Sequence, residues 1–217
     1  MTSIAGNRVV RTPCCRAFCL EVAYRSINYS AQEFWTDGEA THSLAPTDCG
    51  LRRCVCGSYY VLGELEWGDR IEDHNYMGRE LKRALRVSDD ALEEILCTRS
   101  SLSRPTEIAT RRRLWRLLNH EYRLRYRKAK EQDKHAIPAY APSTQQIENM
   151  EHLLELLGND LSRNALECAE LLRELGRFGE AHAMLFNVND DELVEPVGKL
   201  LELLIKDRIA APIRYRL

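Results

Sequence analysis

Long apolar runs are missing from this chain: nowhere does it approach the roughly 18 consecutive residues that a membrane-spanning helix needs. The opening MTSIAGNRVVRTPCC lacks an apolar core and a cleavage signal, which argues against export and for a cytoplasmic protein. Neither charge sign is in large excess, since 31 Lys and Arg stand against 33 Asp and Glu for a formal net charge of −2. A pI near 6.3 argues against non-specific DNA binding. With 44% hydrophobic residues and a mean hydropathy of −0.42, the chain is too apolar to be disordered and too polar to be a membrane protein. Its 217 residues are ample for a hydrophobic core.

The usual signatures of catalysis are also missing. No H-E-x-x-H, phosphate-binding glycine loop, G-x-S-x-G or dinucleotide fingerprint occurs. The histidines (His42, His74, His120, His135, His152 and His182) form no pair at i, i+3 or i, i+4, the spacing that would put two ring nitrogens on one helix face. Glu64, Glu66, Asp69, Glu72 and Asp73 read as a solvated acidic linker. These absences point away from an enzyme and from a small-molecule substrate.

What stands out is cysteine. The chain has eight, and Cys14, Cys15, Cys19, Cys49, Cys54 and Cys56 all fall in its first 56 residues. A tetrahedral thiolate site joins two ligand pairs from distant segments, usually from tight knuckles at β-hairpins. Arg53-Cys54-Val55-Cys56-Gly57 has that form, with a glycine that lets backbone amides turn toward sulfur, and Thr12-Pro13-Cys14-Cys15 is its counterpart. Neither group has the C-x2-C spacing, so several pairings stay open: C-C or C-x3-C in the first group, C-x-C in the second, or C-x4-C in both. A chain without a signal peptide disfavours disulfides, and no thioredoxin-like C-x-x-C is present. The pattern favours a structural zinc ion. Cys97 and Cys168, on helical stretches, read as isolated core thiols.

Thr12-Pro13-Cys14-Cys15, Asn28-Tyr29-Ser30, Trp35-Thr36-Asp37-Gly38, Leu44-Ala45-Pro46 and Leu51-Arg52-Arg53-Cys54-Val55-Cys56-Gly57 together resemble a group of uncharacterised bacterial zinc-ribbon-like proteins. In that group a T-P-C-C start, a W-x-D-G turn and an R-C-x-C-G knuckle precede a helical region. The resemblance covers residues 12–65 well and the rest loosely. It implies Cys14, Cys15, Cys54 and Cys56 as zinc ligands, with Cys19 and Cys49 as alternates, and it implies no activity. Four thiolates would fill the coordination sphere, which makes such a site structural.

Residues 8–65 read as β and turn, with Ala17–Tyr24 and Tyr59–Leu62 as strand-like runs. From about residue 76 the pattern becomes helical. Short helices are expected at Gly78–Leu85 and after Ser88, then a long helix from Ser103 to near Glu131, an extended Ile137–Pro142 linker, and a helix capped at Ser143 or Thr144 and stopped by Gly158. Residues 161–187 place small residues Ala165, Ala169 and Ala181 around a Gly176-Arg177-Phe178 turn, and resemble one tetratricopeptide helix–turn–helix unit. No second copy follows at the spacing of about 34 residues that an array needs. A last helix from Pro196 to about Ile205 leads to a basic tail around Arg214-Tyr215-Arg216.

The near-neutral charge conceals opposed blocks. Residues 104–134 carry +7 and residues 144–195 carry −9. Within 111–130, Trp115, Tyr122 and Tyr126 interleave with nine basic side chains, so Arg112, Arg116, Arg123 and Arg127 are candidate binding residues. The acidic block is the expected counterweight, which would leave no free basic patch. The expectation is therefore an α+β chain with a β zinc ribbon at 1–75 and a helical domain at 76–217. Its expected role is a zinc-stabilised, non-enzymatic adaptor for a protein partner, with nucleic-acid binding by the basic helix as the alternative.

Overall fold

The computed structural model describes residues 3–26, 31–42, 50–71, 75–76, 79–97, 102–188 and 196–215. In chain order the strands are β1 (Ser3–Arg11), β2 (Phe18–Ser26), β3 (Ala31–Trp35), β4 (Ala40–His42), β5 (Leu51–Arg53), β6 (Tyr59–Val61), β7 (Glu66–Ile71), β8 (Asn75–Tyr76), β9 (Arg79–Glu80), β10 (Leu85–Arg86) and β11 (Arg214–Tyr215). The helices are α1 (Leu92–Cys97), α2 (Arg104–Leu118), α3 (His120–Gln132), α4 (Thr144–Leu157), α5 (Leu161–Glu174), α6 (Phe178–Leu185) and α7 (Pro196–Lys206). The protein is thus mixed α and β, with small antiparallel sheets, and no helix among the described residues is long and apolar enough to cross a membrane.

Two compact units divide the chain: Met1–Ala31 with His42–Arg113, and Gln32–Thr41 with Leu114–Leu217. The division differs from a cut at 75/76. It falls inside α2, and it assigns the Trp35-Thr36-Asp37-Gly38 turn to the C-terminal unit, where Trp35, Thr36 and Asp37 are buried.

In the N-terminal unit, β1 lies between β2 and β7, and β5 lies between β6 and β10. Val10 pairs with Cys19 and Arg52 with Tyr60, which gathers Val10, Cys19, Cys54, Tyr60 and Leu65 into one core cluster. The expected helix at 78–85 is absent from its described part, because that backbone is used for pairing on both sides. The Leu20 amide donates to the Lys82 carbonyl and the Ala84 amide to the Leu20 carbonyl, while Leu85 pairs with Arg53. The strap at 82–86 therefore stitches β2 to β5. A buried ion pair reinforces the seam: the Arg52 guanidinium donates to both Glu21 carboxylate oxygens at 2.7 and 2.8 Å. The acidic run is not a linker where it is described, since Glu66–Ile71 is β7, paired with β1. Glu64 accepts from the Val61 amide and the Thr106 hydroxyl, while Glu72 and Asp73 lie outside the described residues.

In the C-terminal unit the helix expected over 103–131 is interrupted at Asn119, whose side chain is wholly buried. Its Nδ2 donates to Asp37 and Glu174, and its Oδ1 accepts from Gln146 and lies 3.0 Å from the Tyr140 hydroxyl. Ser143 and Gln146 form a capping box at the start of α4, and Gly158 caps its end. Helices α5 and α6 pack on each other across a short turn. Gly176 turns at φ 75°, a conformation that costs an L-residue about 1 kcal/mol or more, and Ala165, Ala169 and Ala181 are buried at the crossing with Leu172 and Leu185. The basic tail is a strand over its described residues, Arg214–Tyr215, where β11 pairs with β3, Arg214 opposite Trp35.

A polar core underlies this unit. Asp37 accepts from Arg123 at 2.5 Å and from Asn119 at 3.0 Å, all three groups being buried. Gly38 suits the turn beside it: its φ of 75° strains an L side chain, and the Arg116 guanidinium occupies the space a Cβ would take. Arg173 pairs with Glu170 and donates to the carbonyls of Ile209 and Ala211 and to the Thr36 hydroxyl. Glu174 Oε2 accepts from Trp115, Asn119 and Tyr140.

Removing one partner of a buried ion pair leaves the other charge uncompensated, so Asp37→Ala should lower unfolding free energy by about 3–5 kcal/mol in urea titrations. Burial, with Glu170 and Asp37 nearby, raises the Glu174 carboxyl well above the ordinary range. A carboxyl with a raised folded pKa contributes fully below its unfolded pKa and loses that contribution as pH rises toward the folded value. Glu174→Gln keeps an acceptor for Trp115 and Asn119 without that linkage. It should therefore match or exceed the wild type in stability near neutrality, with a shallower decline as pH rises above the ordinary carboxylate range in the same titrations.

Candidate functional site

The first cysteine pair sits in the turn between β1 and β2. Thr12, almost fully buried, accepts at its carbonyl from the Arg16 amide, while its own amide donates to the Ala17 carbonyl. Arg16 adopts φ 59°, and this tight reversal turns Cys14 and Cys15 outward from the sheet's end. The second pair sits in the turn between β5 and β6. There the Cys54 amide donates to the Ser58 carbonyl and the Gly57 amide to the Cys54 carbonyl, with Gly57 at φ 91°. Only a residue without a Cβ takes that angle easily, which is why glycine follows the second cysteine.

The two turns converge. The sulfurs of Cys14, Cys15, Cys54 and Cys56 all lie within 4.8 Å of one another. Cys15 and Cys54 are 3.4 Å apart, and Cys14 and Cys56 are 3.5 Å apart. Tetrahedral coordination with metal–sulfur bonds of about 2.3 Å puts sulfurs about 3.8 Å apart, within this range. The donor set is therefore one that could hold a single metal ion. Cys54 is buried and the other three are exposed, so the ion would sit at the surface with one anchored ligand.

The thiols are not equivalent. Hydrogen bonds from the Ser58 side chain and backbone lower Cys56 to about 6, whereas desolvation and the Cys54 and Cys56 sulfurs push Cys14 up to about 12. Cys15 is lowered, chiefly by the Thr12 hydroxyl 3.5 Å away. Sulfurs crowded this closely resist carrying four negative charges by themselves, and a cation that displaces the remaining protons relieves the repulsion.

Of the alternates, Cys19 is buried on β2 with its sulfur 3.8 Å from the Tyr60 hydroxyl, apart from the cluster. Cys49 lies outside the described residues. Cys168 is buried as a core thiol, but Cys97 is exposed: short α1 buries Leu92 and Ile95, and Cys97 falls at its end off that face.

The candidate arginines have other roles. Arg123 is buried against Asp37, Arg116 donates to the Asp37 carbonyl, and Arg127 donates twice to Glu33 at 2.7 and 3.0 Å. Arg112 is half-buried on α2. The counter-charges for Arg123 and Arg127 come from Asp37 and Glu33, not from the acidic block at 144–195, whose Glu170 and Glu174 turn inward. Trp115, Tyr122 and Tyr126 are buried. This pairing was not legible in the sequence, because nothing local links residues 33 and 37 to residues 123 and 127.

No known protein family, curated protein or solved structure matches this chain.

If the four sulfurs act as one ligand set, Cys14→Ser, Cys54→Ser or Cys56→Ser each lowers bound metal well below one equivalent, while Cys19→Ser retains it. Elemental analysis of protein purified under reducing conditions checks this.

Proposed function

We propose that this chain is a non-enzymatic protein-interaction module whose N-terminal unit is a zinc-ribbon-like fold held by one structural zinc ion. The observation that carries the reading is the convergence of two hairpin turns to place four sulfurs within 4.8 Å. A tetrahedral all-sulfur set suits zinc, and it leaves no position for the water that a catalytic zinc requires. Zinc would add bonds between the two hairpin turns, and, binding only the folded arrangement, it would stabilise that arrangement. The helical hairpin of α5 and α6, with alanines at its crossing and a glycine turn, supports a tetratricopeptide-like reading of that element. In the C-terminal unit such a hairpin would serve as a partner-binding scaffold. The resemblance of residues 12–65 to zinc-ribbon-like bacterial proteins is consistent with the same assignment. The alternative of nucleic-acid binding through the basic helix loses support from the pairing of Arg116, Arg123 and Arg127 within the chain.

Protein prepared in reducing, zinc-replete medium should carry one zinc per chain by elemental analysis. Stripping it with a chelator should lower the Tm by about 10 °C or more and weaken the β signal in circular dichroism. Clearly substoichiometric zinc, or an unchanged Tm after complete removal, would refute the ribbon.

A further inference from the structure

We propose that the four-cysteine site is a redox-responsive centre, in which a peroxide converts the ligands into two disulfides across the turns, Cys14–Cys56 and Cys15–Cys54, and so abolishes metal binding. The inference rests on the zinc-ribbon reading above and adds a regulation to it: the sulfurs that hold the ion are also placed to give it up.

Two sulfur contacts run from one turn to the other, Cys15 to Cys54 at 3.4 Å and Cys14 to Cys56 at 3.5 Å. Each pair already faces its partner across the gap that a disulfide would bridge. Closing that gap to the bonded distance of about 2.05 Å takes a shift of about 1.4 Å between sulfurs, within reach of side-chain torsion. Pairing inside the first turn is disfavoured, because neighbouring Cα atoms are about 3.8 Å apart and a disulfide usually spans about 4.4–6.8 Å. The turns are held by contacts that do not involve the sulfurs. The Thr12 carbonyl accepts from the Arg16 amide, the Cys54 amide donates to the Ser58 carbonyl, and the strap at 82–86 joins β2 to β5. These contacts keep the turns opposed whether the sulfurs bind an ion or each other.

Exposure sets the order of events. Cys14, Cys15 and Cys56 are exposed and Cys54 is buried, so Cys14–Cys56 is the pair in which both residues meet solvent, and it reacts first. One of its sulfurs attacks the peroxide: an S–O bond forms as the O–O bond breaks, and the departing hydroxide takes a proton from solvent. The other sulfur attacks the resulting sulfenic acid: the S–S bond forms as the S–O bond breaks, and a second hydroxide leaves and is protonated. In sum two thiolates lose two electrons, and one peroxide with two protons becomes two waters. The two thiolates that remain no longer complete a tetrahedral site, and they are free to react in the same way with a second peroxide. Cys54 needs no access of its own, because exposed Cys15 meets the oxidant and Cys54 resolves it from 3.4 Å away. Cys19 stays reduced, being buried on β2 beside the Tyr60 hydroxyl, and exposed Cys97 stands outside the cluster.

The test uses the full chain loaded with zinc under reducing conditions, then freed of reductant and left to react to completion with hydrogen peroxide. Free thiols are blocked, disulfides are reduced, and the thiols so released take a second alkylating label that fragmentation mass spectrometry locates. After one equivalent of peroxide the label should sit chiefly on Cys14 and Cys56. After two equivalents it should also reach Cys15 and Cys54, with zinc released to a chromogenic chelator rising to about one per chain. A thiol reductant and added zinc should restore the starting state, and Cys97→Ser should behave as wild type throughout. Full zinc loading followed by label on any other pair, by sulfinic acid in place of disulfides, by disulfides between chains, or by zinc that stays bound overturns the redox centre and leaves the ribbon standing. Zinc well below one equivalent before any peroxide is added removes the ribbon reading and the redox centre together.

Discussion

Four sulfurs within 4.8 Å of one another are the constraint that shapes the N-terminal unit. Like-charged ligands stay together only if the backbone around them is held, and the surrounding contacts do this. Thr12 is buried and closes the first turn, Gly57 permits the second, and the strap at 82–86 joins the sheets that carry them. Val10, Cys19, Cys54, Tyr60 and Leu65 form a core cluster beneath them, so Cys54 serves both as a packed core residue and as a prospective ligand. A metal that binds only the folded arrangement shifts the equilibrium toward it.

The C-terminal unit is stabilised differently. Its helices bury apolar faces in the ordinary way, around Ala165, Ala169, Leu172 and Leu201, but its centre also contains charge. Asp37, Arg123, Glu170, Arg173 and Glu174 are all buried; Asn119, Trp115 and Tyr140 donate to the carboxylates of Asp37 and Glu174, and Arg173 donates to the Thr36 hydroxyl. Buried charges of this kind contribute little net stability when intact and cost much when broken. Their geometric demands do, however, explain why the Trp35-Thr36-Asp37-Gly38 turn has the residues it has. Trp35 packs on Tyr126, Thr36 exchanges hydrogen bonds with Ile213, Asp37 pairs with Arg123, and Gly38 leaves room for Arg116. A turn first noticed beside a cysteine motif thus belongs to the helical unit's core.

Local chemistry was readable from the chain wherever neighbouring residues decide the outcome. Turn glycines, the Ser143 cap, the small-residue crossing of α5 and α6, and the two cysteine-bearing turns all follow from residues a few positions apart. Readings that depended on distant partners went astray. The stretch at 79–85 looked helical, yet its amides and carbonyls pair with Leu20 and β5; the helix through Asn119 looked continuous, yet that side chain is needed by four partners from elsewhere. Cys97 looked like a core thiol, yet α1 is too short to bury it.

The absence of long apolar runs and of catalytic signatures, with which the chain is first characterised, was a property of the sequence alone. So were the clustering of cysteines and the opposed charge blocks, because composition and spacing need no third dimension. Which cysteines meet, and which acids neutralise which arginines, only the tertiary structure decided. Sulfur–sulfur distances and the pairs Glu21–Arg52, Asp37–Arg123 and Glu33–Arg127 depend on the convergence of segments 31 to 94 residues apart, where local propensity carries no information and packing sets the partner.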